Sequence, residues 1–129
     1  MSRPKINGIA PCFIVKNVTA SVAFYRDLLD FELMFAEPAV DPFFAIVNRE
    51  GAMIFLKDVG VEPVPNNTRH PWARLDAYVN VPDPDALAAE YSSRGVQFSK
   101  PLKDTSDGLR GFEINDADGY VLFFGRPRS

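Results

Sequence analysis

The sequence predicts an α+β fold of two tandem βαβββ units, with curved mixed sheets around a concave cavity and helices on the outer face. Three observations predict it. The chain repeats itself at a nearly constant offset. Each copy opens with a strand followed by a capped helix. Each copy closes with two apolar strands joined by a tight acidic or glycine turn.

The repeat pairs Val15 with Val81, Asn17 with Asp83, Ala20 with Ala86, Ala23 with Ala89 and Tyr25 with Tyr91. Further on, at an offset two residues longer, Phe44 pairs with Phe112, Ile46 with Ile114, Asn48 with Asp116, and Glu50-Gly51 with Asp118-Gly119. Met53-Ile54-Phe55-Leu56 and Val121-Leu122-Phe123-Phe124 are apolar in both copies. The first unit spans about 8–58 and the second about 73–126, with a linker at about 59–72, all within one domain over 1–129.

In the first unit, Ile9–Val15 reads as a strand. Asn17 caps a helix with apolar positions at Val18, Val22, Tyr25 and Leu28-Leu29, and Asp30 is placed to end it in a left-handed conformation. Strands follow at about 31–37, 43–48 and 52–57, the last two joined through Arg49-Glu50-Gly51. In the second unit a strand at about 74–81 leads to Asp83, a cap, and Pro84, which suits a first helical position because its missing N–H costs nothing there. Leu87, Ala88 and Tyr91 form the apolar face of this helix, and Gly95 ends it. Strands are expected at about 96–99, 110–115 and 120–125. Lys100–Leu109 reads as a loop with a flexible Asp107-Gly108 tip.

The bulk numbers narrow the function. At 129 residues and 47% apolar content with 11 Phe, the chain can bury one sizeable core. A net charge of -3 opposes binding to nucleic acid or an anionic membrane surface. No apolar run approaches the roughly 20 residues of a membrane span, and Met1–Ala10 is too short and polar for a secretory leader. The single cysteine, Cys12, reads as a small buried hydrophobe on a strand, and its lack of an intramolecular partner suits a reducing, cytoplasmic compartment. His70, alone on the linker, reads as solvated. Asp104, Asp107, Asp116 and Asp118 read as turn residues, because their spacing lacks a calcium-loop pattern.

Two segments carry a family likeness. Val15–Leu29 resembles the first strand–helix signature of the vicinal-oxygen-chelate superfamily, which includes glyoxalases, bleomycin-resistance proteins and dioxygenases. Gly111–Gly125 resembles its closing hairpin, with Asp30 and Ala117 where glycine and proline are usual. The resemblance implies a dimer and a cup of strands, which in the enzymes holds a divalent metal on His, Gln or Glu. Carried over residue by residue, the four ligand positions fall on Ala10, Phe55, Asp76 and Phe123. A cation needs three or four N or O donors converging on one point, so the expectation is no metal and no cofactor.

Strand alternation then assigns the two faces. Cys12, Met53, Phe55, Arg74, Asp76, Tyr78, Val121 and Phe123 should line the cup, with Glu113 at the family's substrate-contacting position and Ala45 as its repeat partner. Phe13, Val15, Ala77, Val79, Val81, Phe112, Ile114, Leu122 and Phe124 should pack under the helices. The expected function is a metal-free binding protein of the bleomycin-resistance type that sequesters a small aromatic or cationic molecule. Phe55, Trp72, Tyr78 and Phe123 would stack on it, and Asp76, Glu113 and Arg74 would supply charge. Two alternatives stay open. One is a divergent lyase, isomerase or dioxygenase with Glu113 or Asp76 as base. The other is an interaction module whose cup is plugged by its own phenylalanines.

Overall fold

A computed structural model describes residues 3–128 of the chain. Its strands form two four-stranded sheets. In the first, β1 (Cys12–Ile14) lies beside β4 (Ala52–Lys57), then β3 (Phe44–Arg49) and β2 (Glu32–Glu37). In the second, β5 (Ala77–Asn80) lies beside β8 (Val121–Pro127), then β7 (Leu109–Asn115) and β6 (Lys100–Asp104). In both sheets the first strand runs parallel to the last, and the other pairings are antiparallel. The repeated sequence pattern thus becomes a repeated topology, and the α+β fold of two βαβββ units stands as expected.

The helices form where their caps place them. Asn17 Oδ1 accepts from Ala20 N at 2.9 Å to start α1 (Val18–Ala23), and Asp83 Oδ1 accepts from Ala86 N at 3.0 Å to start α3 (Pro84–Ser93). Each side chain satisfies one of the backbone donors that a helix start leaves without a partner. α1 widens into a π-helical turn at Phe24–Leu28 and stops at Asp30, whose φ is 61°. A short helix, α2 (Asn66–Arg69), and a 3-10 turn at Pro71–Ala73 occupy the linker. Among the described residues no helix is long and apolar enough to cross a membrane.

Alternation puts one face of each sheet under its helix. Val15, Val47, Leu56, Phe112, Ile114, Leu122 and Phe124 are fully or almost fully buried there. Phe112 stacks on Phe124 at 5.3 Å and on Phe98 at 4.8 Å, while Tyr91 from α3 meets both Phe112 and Phe124 edge-on. Each such side chain contributes roughly 1.5–3 kcal/mol on leaving water.

The repeated tyrosines lock the units together. Tyr25 Oη donates to Asp116 Oδ2 in the opposite hairpin at 2.6 Å, and its counterpart Tyr91 Oη donates to Leu29 O at 2.9 Å. Arg49 adds a two-pronged pair with Glu90 at 2.8 and 2.9 Å. Tyr120 stacks flat on Phe13 at 4.3 Å and donates to Ile14 O. Burial pushes the Tyr91 hydroxyl up to about 12 and the Asp116 carboxyl up to about 6.

Several expectations need correction. β1 is shorter than Ile9–Val15, and Ile9 is 90% exposed, because Pro11 has no N–H to give a neighbouring strand. Cys12 lies on that strand but is exposed rather than buried. β5 begins at Ala77, since Arg74 takes a φ of 61° that breaks the extended run. No strand forms at 96–99. Instead Lys100–Asp104, expected as loop, pairs with β7 across a bulge. Its charges and Pro101 hid it, and an edge strand tolerates both.

Candidate functional site

Cross-strand register decides which side chains share the open face of the second sheet. Glu113 stands opposite Phe123, Gly111 opposite Gly125, and Tyr78 beside Phe123. Residues paired this way project to the same side. Glu113 pairs with Lys100 on its other flank.

The two glycines shape this surface. A Cβ on Gly111 would lie 2.7 Å from Phe123 Cζ, and one on Gly125 would lie 2.5 Å from Phe123 Cε1. The Phe123 ring therefore lies flat on the bare backbone of the Gly111–Gly125 pair instead of standing up into the cup. Tyr78 covers it in a stack at 5.6 Å and 16°. Beside the flattened ring a cavity of about 290 Å³ stays open, lined by Arg74, Lys100, Lys103, Ser106, Glu113 and Phe123 among others.

Glu113 is the polar centre of this cavity. Its side chain is 7% exposed, and its Oε2 has no hydrogen-bond partner. Arg74 Nη2 at 3.7 Å and Lys100 Nζ at 3.8 Å balance its charge without reaching hydrogen-bond distance. Arg74 is held at φ 61° and ψ −80°, which costs a non-glycine residue about 1–3 kcal/mol. Its second prong faces Asp107 at 3.8 Å. Asp104 is already paired with Arg110 at 3.1 Å.

A larger cleft of about 810 Å³ runs along the seam between the units, lined by Pro11, Met53, Ile54, Tyr78, Val79 and Tyr91 among others. Its walls are apolar, but its charged groups Arg49 and Glu90 already bind each other. The smaller cavity combines an apolar wall with placed polar groups, as small-molecule sites do. Tyr78 stands between the two, lining the cleft and stacking on Phe123.

The expected site residues divide into groups. Arg74, Glu113 and Phe123 come together, with Tyr78 against Phe123. Phe55 lies on the first sheet, edge-on to Phe44 at 5.7 Å, and Phe44 continues the row to Phe35. Trp72 is 83% exposed on the linker and lines neither cavity. Asp76, expected to face a ligand, uses both oxygens on backbone. Oδ1 accepts from Asn66 N and Oδ2 from Val121 N, each at 2.8 Å. His70 Nδ1 accepts from Trp72 N within its own turn.

Glu113's repeat counterpart is Ile46 rather than Ala45. Ala45 pairs with buried Leu56 as Phe112 pairs with Phe124, so the β3 and β7 copies align one residue away from the sequence match. The second hairpin is one residue longer. Lys103 and Ser106 were missed because the segment carrying them read as a loop; Leu102, an apolar residue amid charges, was the available signal.

The residues at the family's metal positions do not fit a cation. Ala10, Phe55 and Phe123 offer no donor atom, and Asp76 is committed to two backbone N–H groups. Among the described residues no group of three or more His, Cys, Asp or Glu converges as a metal site.

Two flanking sheets, helices packed behind and a cup with carbon-rich walls define a class of protein. The Glyoxalase/Bleomycin resistance protein/Dioxygenase superfamily model matches residues 5–124, and the chain belongs to that superfamily. A bleomycin-binding protein from Streptomyces verticillus, solved in complex with copper(II)-bleomycin, is 26% identical with a TM-score of 0.71, over 98% of this chain and 100% of that one. TioX from Micromonospora sp. ML1 is 20% identical with a TM-score of 0.73, over 93% and 98%. TnmS3, an antibiotic binding protein from Streptomyces sp. CB03234, is 23% identical with a TM-score of 0.67, over 98% of each chain. Comparison with curated proteins found no match.

Proposed function

We propose that this protein binds a small aromatic or cationic molecule and sequesters it by affinity alone, making and breaking no bond. The observation that carries the reading is the flattened Phe123, which leaves an open cavity where an upright ring would plug the cup. Phe123 and Tyr78 supply the stacking surface, and Glu113 accepts hydrogen bonds or faces a cation. Arg74 flanks Glu113 and Asp76 holds the backbone that frames the site, while Phe55 and Trp72 lie outside this cavity. The bleomycin-binding relative, at 26% identity, supports an antibiotic-like ligand. Calorimetric titration with bleomycin and other cationic aromatic compounds tests this. Saturable binding of at least one is expected, and its absence from all of them refutes the reading.

One observation favours a second reading. Glu113 Oε2 is buried and unpartnered, as a general base would be before substrate arrives. Elemental analysis of protein purified without chelator separates the two, since a stoichiometric metal would favour the enzyme.

We also infer a homodimer that works in the cytoplasm. β1 and β5 each pair on one side only, and Met34, Phe35 and Phe43 are exposed on or beside another edge strand. Sedimentation should give twice the 14.4 kDa of one chain. A monomer at micromolar concentration would refute the dimer.

A further inference from the structure

The cavity beside Phe123 has a charge arrangement more specific than a general affinity for cations. Glu113, whose buried Oε2 has no hydrogen bond, lines it, and three cationic side chains, Arg74, Lys100 and Lys103, share the lining. Neither neighbouring cation comes closer than 3.7 Å to Glu113. A carboxylate so placed calls for an N–H donor from outside, because a buried acceptor left empty loses the hydrogen bonds that water gave it. The cations outnumber the free carboxylates, since Asp104 is tied to Arg110, which leaves Glu113 and Asp107 against Arg74, Lys100 and Lys103. A purely cationic ligand would meet the guanidinium and two ammonium groups at close range. A purely anionic one would face Glu113.

Resting on the binding role assigned to this cavity above, we propose that it takes a zwitterionic amino-carboxylate group. The ligand's ammonium donates to the Glu113 carboxylate, reaching the enclosed Oε2 as Lys100 moves aside, and its carboxylate accepts from Arg74 and Lys103. Both are charge-assisted hydrogen bonds, and the guanidinium fork suits a carboxylate. The apolar remainder of the ligand lies over Phe123 toward Tyr78. A volume of about 290 Å³ is small for a drug-sized molecule and suits a single amino-acid headgroup or the terminus of a larger ligand.

The test is isothermal titration with three probes that share one ring: L-phenylalanine, phenethylamine without the carboxylate, and 3-phenylpropionate without the ammonium. L-Phenylalanine should bind at least tenfold more tightly than either half-probe. Glu113→Gln should weaken L-phenylalanine at least tenfold while leaving 3-phenylpropionate no weaker than before. Lys103→Ala should weaken L-phenylalanine and spare phenethylamine, and unfolding midpoints should show both variants folded. If either half-probe matches the amino acid, or both variants bind it as the parent does, the zwitterion proposal falls while small-molecule binding survives. Failure of all three probes to bind overturns the zwitterion proposal, and failure of the bleomycin series as well overturns the binding function.

Discussion

Asp116 should make the protein more stable at pH 5 than at pH 7. Its Oδ2 accepts from Tyr25 Oη at 2.6 Å, and its Oδ1 accepts from Asp118 N at 3.0 Å and Tyr120 N at 2.9 Å. Burial nevertheless outweighs these donors and raises the carboxyl from 3.8 to about 6. A gap of about two units corresponds to about 3 kcal/mol, the cost of keeping the group ionised in the fold. The folded state holds the proton to higher pH than the unfolded chain does. The contribution is therefore complete below the unfolded value, 3.8, and is lost as pH rises through about 6. Between pH 7 and pH 5 the folded state should regain roughly 1.3 kcal/mol. Glu90, Asp85 and Asp27 are held low by Arg49, Arg110 and Arg26, so they oppose this trend chiefly in more acid solution. Asp116→Asn keeps an oxygen for the backbone donors and removes the titration. Urea unfolding at pH 7, 6 and 5 should show the parent gaining stability and the variant lacking that gain. Equal slopes in the two proteins would refute the burial argument.

Other perturbations separate site from scaffold. Gly111→Ala places a Cβ 2.3 Å from Phe124 O and 2.7 Å from Phe123 Cζ, so it should cost about 1–3 kcal/mol and abolish ligand binding by lifting the ring into the cavity; thermal melts and titration check both. Asp76→Asn leaves one backbone N–H without its acceptor and should cost about 1–3 kcal/mol in urea unfolding. Tyr91→Phe should cost only about 1 kcal/mol, because Leu29 O keeps its bond from Arg49 Nη1 at 3.1 Å.

Much of the fold was legible because local and global signals agree. Asn17 and Asp83 cap the helices that their sequence context announces, Asp30 adopts the left-handed turn, and the apolar face of each sheet alternates as strand geometry demands. The edge strand β6 was hidden because its residues are chosen for exposure, not burial. The register of β3 against β7 was hidden because the hairpin gained one residue, and period-two alternation turns a one-residue error into the wrong face. Of the site, Phe123 was legible from strand phase set on the family's ligand positions and Glu113 from the family resemblance, while Arg74, expected on a strand, reaches the cavity from a turn with φ 61°. The role of Asp76 was not legible, since a carboxylate facing a cavity and one stapling two backbone amides look the same in sequence.

The corrected register shows where the second unit became a site. Gly111 and Gly125 stand where the first unit has Phe44 and Lys57, which are also paired across their strands. Phe55 and Phe123 are equivalent positions, yet Phe55 meets Phe44 edge-on at 86° while Phe123 lies over two bare glycines. At the next paired position Ile46 is replaced by Glu113. The backbone topology of the two units is the same, so the difference in their concave faces comes from these few replacements. Two glycines lower the ring, and one glutamate puts a charge in the space that this opens. Reversing the glycine change would press a Cβ on Phe124 O at 2.3 Å and on Arg110 O at 2.5 Å as well as on the ring, so β7 and β8 must shift locally as the cavity closes. The pocket therefore depends on the side chains missing from the pair beneath Phe123 as much as on Glu113.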